Sequence, residues 1–231
     1  MKEHESCLQR FVKLFGKGQI LGILGDREFA NGHLFCWLNT NNIPFYIRIK
    51  EDSIVRIKNK KICNAEKIFC KLNPKEQQIL EMSVEVFGQK VYLAGSRSER
   101  GELMIVATNQ LPANAIAIYL RRWEIECLFH ALKGRGFRFE ETHLTKLERI
   151  EKLMVLLTIG FCWAHKVGEW RATKKPIVLN KHGKSQRPQN SYFRYGLDLI
   201  REALFSFQER AIQFTEYLIK IRLTPSLGGG I

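Results

Sequence analysis

Apolar residues recur at helical spacing from Glu3 to Phe15, where Leu8, Phe11, Val12 and Phe15 predict a helix that stops at Gly16 and Gly18. The next run, Gln19 to Leu24, is apolar and of strand length, the pattern of a strand covered on both faces, and it ends at Asp26. Asn31 to Asn41 reads as a short helix. Pro44 to Lys50 then alternates Phe45, Ile47 and Ile49 with Tyr46, Arg48 and Lys50, which predicts a strand with one basic face. From Ser53 to Thr108 the short runs IVRIK, KIFCKL, SVEVFGQKVYLAG and LMIVAT predict a mostly antiparallel sheet. Ala115 to Phe137 reads as one long amphipathic helix, with Pro112 suited to a first turn. Lys146 to Trp170 is a second long helix with Leu147, Ile150, Met154, Leu157, Phe161 and Ala164 as its apolar stripe, and Phe193 to Leu218 predicts one or two more.

Charge narrows the field of partners. The 231 residues carry 37 Lys and Arg against 23 Asp and Glu, a net charge of +14. That excess points to a polyanion, with nucleic acid ahead of a membrane surface. No apolar run approaches the length of a membrane span, and the sequence MKEHESC lacks the features of a signal peptide, so the expected location is the cytoplasm. The six cysteines are scattered without C-x-x-C, which argues against zinc and for reduced thiols, several of them buried.

The long helix also carries candidate chemistry. Tyr119, Arg122, Glu126 and Lys133 stand at i, i+3, i+7 and i+14, and at about 100° per residue they fall within an arc of roughly 60°. An aromatic hydroxyl, two cations and a carboxylate on one line would suit a metal or a phosphate. The spacing alone leaves the simpler alternative open: an Arg122–Glu126 intrahelical pair, a last-turn Lys133 and a core Tyr119. Asp26, likewise, can point at a ligand beyond a strand end or simply start a turn.

The Tyr-x2-Arg-x3-Glu-x6-Lys pattern resembles the signature of the insertion sequence 4 family of bacterial DDE transposases, and ILGDREF resembles that family's strand ending in the second catalytic Asp. The resemblance implies an α/β fold, a partial ribonuclease H-like catalytic core with a β-rich insertion and a helical C-terminal region. It implies a remnant of that core over residues 1–50, the insertion over 51–101, the returning strand and Glu-bearing helix over 102–140, and the helical region over 141–231. It further implies metal-dependent cleavage and strand transfer, with Asp26 and Glu126 as catalytic ligands of Mg2+ or Mn2+. Tyr119, Arg122 and Lys133 would contact double-stranded DNA at transposon ends.

The sequence departs from the family pattern in one respect. Its three aspartates are Asp26, Asp52 and Asp198, and none stands upstream of Asp26 where the first catalytic Asp belongs. The expectation is an N-terminally truncated transposase, inactive alone and prone to self-association or to pairing with full-length transposase. Two other readings stay open: a non-catalytic product that binds DNA or inhibits transposase, and a basic nucleic-acid protein unrelated to transposition.

Overall fold

The computed structural model describes residues 2–57, 61–134, 136–180 and 187–206. The chain divides into two compact units, Met1–Glu124 and Ile125–Ile231. Among the described residues no helix is long and apolar enough to cross a membrane.

The first unit runs α1 (Lys2–Phe15), β1 (Ile23–Gly25), α2 (Gly32–Thr40), β2 (Phe45–Ile49), β3 (Ile54–Ile57), β4 (Lys61–Asn64), α3 (Ala65–Ile68), β5 (Gln77–Val86), β6 (Gln89–Arg97), β7 (Leu103–Thr108) and α4 (Ala115–Leu120). Its strands form one seven-stranded sheet in the order β1-β2-β7-β6-β5-β3-β4. Only β1 and β2 run parallel; the other pairs are antiparallel.

Side chains alternate between the two faces of this sheet, so the strand sequences decide which core each residue joins. Phe45, Ile47 and Ile49 of β2 enter the larger core with Leu93, Ile105 and Ala107, and Phe35 and Leu38 of α2 close over it. Phe69, just after α3, lies in the same core, its ring against Gly95 where a Cβ would collide. The opposite face gathers Tyr46, Ala94 and Val106 under Ala115, Ile116 and Tyr119, the residues that bracket α4. The basic face expected for β2 is therefore the face that α4 partly covers.

Several expectations need correction. The run from Gln19 to Leu24 yields only a three-residue strand at the edge of the sheet, because Lys17–Gln19 is a 3-10 turn and the strand pairs with β2 alone. The segment KIFCKL is not a strand, since Ala65–Ile68 makes a helical turn whose Ala65 is fully buried. The free cysteines of the described residues are exposed, apart from a half-buried Cys63, so the expectation of buried thiols fails.

The helix foreseen over Ala115 to Phe137 is two helices, α4 and α5 (Trp123–Leu132). Between them the amides of Arg121, Arg122 and Glu124 donate to the carbonyls three residues back, at 3.1, 2.8 and 2.9 Å. Such bonds tighten the chain to a 3-10 turn.

The second unit contains most of α5, α6 (Leu147–Lys174), a two-residue hairpin of β8 (Leu179–Asn180) and β9 (Arg187–Pro188), and α7 (Tyr192–Phe205). Helices α6 and α7 approach until backbone meets backbone. A Cβ on Gly168 would collide with the Tyr192 carbonyl, and one on Gly196 with the Ala164 carbonyl. Around that contact Ala164, Val167, Phe193, Leu197 and Ile200 are buried, with Ala131 of α5. Leu147, placed in the apolar stripe of α6, is instead 70% exposed at the helix start. The part of the predicted Phe193 to Leu218 segment beyond residue 206 lies outside the described residues.

Candidate functional site

The parallel pairing of β1 with β2 positions the first candidate. Leu24 lies level with Tyr46 and Gly25 with Ile47, so the next step brings Asp26 level with Arg48. Leu24 and Tyr46 both belong to the face under α4, and alternation gives Asp26 and Arg48 that same side. Asp26 keeps an extended backbone beyond the strand, and its Oδ1 accepts the Arg27 amide at 2.8 Å, which starts the 3-10 turn Arg27–Phe29. A carboxylate has about four acceptor sites, so this single bond leaves capacity for a cation.

Tyr119 reaches the same place from α4. Its side chain is almost wholly buried, at 4% exposure, against Tyr46 and Val106. Burial pushes its hydroxyl above the ordinary tyrosine range, and the Asp26 carboxylate pushes it the same way. The guanidinium groups of Arg122 and Arg48 act against that rise, and Arg122 also hydrogen-bonds the hydroxyl. Four side chains thus share one electrostatic neighbourhood: Asp26, Arg48, Tyr119 and Arg122. The Tyr119 ring is core while its hydroxyl faces charge.

Arg48 is the member that the sequence reading left out. Its half-buried guanidinium donates to the Leu103 carbonyl at 3.4 Å, which fixes the stem along the sheet. The signal for it was the basic alternation of β2, but only the parallel register brings that face to Asp26.

The remaining two candidates lie past the break. Glu126 sits half-buried on α5. Lys133 follows the last residue of that helix, and its ammonium pairs with Glu140 at 3.1 Å. Both partners are more than half exposed, so this pair contributes little to stability.

As a divalent-metal site the donor chemistry is partial. Asp26 and Glu126 are hard oxygen donors of the kind that Mg2+ prefers. Among the described residues no group of three or more His, Cys, Asp or Glu is gathered so as to hold an ion. The set that surrounds Tyr119 is one acid with two guanidiniums, an arrangement made for an anion beside a carboxylate.

No curated protein matches the chain. Residues 7–163 match a protein family described as the transposase DDE domain, a span that takes in β1, the whole sheet, Asp26, Arg48, Tyr119, Arg122, Glu126 and Lys133. With that match over more than half of its length, the chain belongs to the DDE transposase family.

Proposed function

We propose that this polypeptide is an insertion sequence 4 type transposase with a ribonuclease H-like core, and that its site grips the DNA backbone beside a scissile phosphodiester. The observation that carries the reading is the gathering of Asp26, Arg48, Tyr119 and Arg122 at the carboxyl end of β1. Ligands of open α/β sheets bind in that position. Two guanidiniums offer forked donors to phosphate oxygens, and the Tyr119 hydroxyl adds a third donor group. Lys133 extends the phosphate contacts.

Asp26 and Glu126 are the proposed ligands of Mg2+ or Mn2+. Such an ion, when bound, supplies Lewis-acid activation of an attacking oxygen and charge neutralisation at a leaving one. The protein's own part is to hold the phosphate in line. Most of the rate in phosphoryl transfer comes from such positioning and electrostatics. No aspartate precedes Asp26 in this sequence, and three carboxylates are the family requirement. We therefore propose that these 231 residues alone bind DNA without cutting or joining it. The second reading is a non-catalytic product that occupies transposon ends.

The test measures binding to a labelled DNA duplex over a range of salt, together with nicking of supercoiled plasmid in Mg2+. The expected result is binding that falls steeply with salt, weakened about tenfold in Tyr119→Phe/Arg122→Gln, with no strand breaks. Unchanged binding in that variant would refute the phosphate grip. Mg2+-dependent nicking that disappears in Glu126→Gln would refute the proposed inactivity.

A further inference from the structure

A second basic feature lies at the same strand ends. A cavity of about 310 Å3 opens beside the turn that follows β2, lined by Arg27, Lys50, Asp52, Ser53, Ile54 and Phe87. Its construction is traceable. Phe87 sits at the tip of the β5–β6 hairpin with a left-handed φ of 51°, and its ring meets Phe35 edge-on at 5.7 Å. The Phe87 carbonyl closes on the start of α2, where a Cβ at Gly32 would come within 2.8 Å. Ser53 is buried at 8% exposure, so the floor of the turn is held firmly, whereas Arg27 and Lys50 stand exposed at the rim.

Arg27 is the residue after Asp26. Arg48 and Arg122 share the Asp26 neighbourhood around Tyr119, and Arg27 and Lys50 line the cavity. One strand of duplex DNA carries a phosphate about every 3.4 Å of helix axis, so a site that holds one phosphate meets its neighbours as well. The cavity is at the small end of ligand pockets and offers two cations, one hydroxyl and an apolar wall. That combination suits a single phosphate with its sugar.

We infer that this cavity is a second phosphodiester subsite, in which Arg27 and Lys50 share one backbone phosphate next to the one held near Tyr119. The inference rests on the DNA-binding reading above. Asp52 opposes the anion and sets the affinity below what the two cations alone would give. Two cations on one phosphate release the counterions of one phosphate only, which separates this subsite from a merely basic surface.

The test is the salt dependence of duplex DNA binding by the full chain carrying Arg27→Gln, Lys50→Gln, both together, or Asp52→Asn. Lys71→Gln, an exposed lysine elsewhere in the first unit, serves as the control. The expected result is a weakening of about fivefold to tenfold in each single variant, little more in the double, and a salt slope reduced by no more than about one in any of the three. Asp52→Asn binds more tightly, and Lys71→Gln is nearly unchanged. Additive losses with a slope reduced by about two, an effect of Lys71→Gln as large as that of Lys50→Gln, or no gain in Asp52→Asn would each overturn the subsite. Affinity and salt slope unchanged in all variants overturn the subsite and leave the DNA-binding reading standing. Absence of salt-dependent binding in the unsubstituted chain overturns both.

Discussion

Residues 1–124 bury aromatic and branched side chains on both faces of a sheet, whereas the described core of residues 125–231 depends on two helices that touch through glycine. In the first unit Phe35, Phe45, Ile47 and Ile105 are fully enclosed. In the second, Ile125 and Phe129 of α5 and Val155, Leu156 and Ile159 of α6 remain between 45% and 65% exposed. The difference teaches where preorganisation resides. Asp26, Arg48 and Tyr119 are attached to the densely packed unit, and the register of β1 on β2 holds two of them level. Glu126 stands on a helix whose neighbouring apolar residues are half open to solvent.

The comparison can be broken by substitutions that act on one unit alone. Phe35→Ala leaves a large cavity under the sheet and should cost the first unit about 3 to 5 kcal/mol. Hydrogen exchange should then show β2 and β7 losing protection while α6 and α7 keep theirs; loss in both would mean that the units are not independent. Gly196→Ala drives a methyl into the Ala164 carbonyl and should cost the second unit about 1 to 3 kcal/mol, with protection lost in the opposite pattern.

A smaller effect sharpens the account of the site. Asn109 accepts the Phe45 amide at 3.2 Å and donates to the Ile43 carbonyl at 3.0 Å and to Asn39 at 3.1 Å. It ties the start of β2 to the end of β7. Asn109→Ala should cost about 1 to 3 kcal/mol by leaving those groups without their partner, and it should weaken DNA binding because Arg48 rides on β2. Equal DNA affinity in a measurably destabilised variant would count against Arg48 as part of the grip.

The smallest predicted effect is in alkali. Tyr46 and Tyr119 are both held above the ordinary tyrosine range, chiefly by burial. The unfolded chain therefore loses these phenol protons first, so their stabilisation is complete below about pH 10 and disappears as pH rises through the folded values. Denaturation midpoints should fall above pH 10, and fall less steeply in Tyr119→Phe. An identical alkaline slope in that variant would contradict the buried hydroxyl.

Much of this architecture was legible in sequence, for identifiable reasons. The alternation of β2 was strict enough to separate a core face from a basic one, and the apolar run before Asp26 correctly brought that acid to a strand end. The break between α4 and α5 was not legible, because neither Gly nor Pro marks it and Arg121 and Arg122 are ordinary helix residues. KIFCKL misled because a short apolar run has no periodicity that separates a helical turn from a strand. Arg48 was missed because membership of the site depends on strand register, which pairs residues 22 positions apart and leaves no local trace.

The proposal most open to test is that Asp26 and Glu126 are ligands of Mg2+ or Mn2+. Mn2+ binding followed by electron paramagnetic resonance in the unsubstituted chain, Asp26→Asn, Glu126→Gln and the double variant tests it most directly. The account predicts that either single change abolishes the same bound Mn2+ signal and that the double loses nothing further. Single changes that each leave a bound Mn2+ signal intact, or losses that simply add, would contradict it.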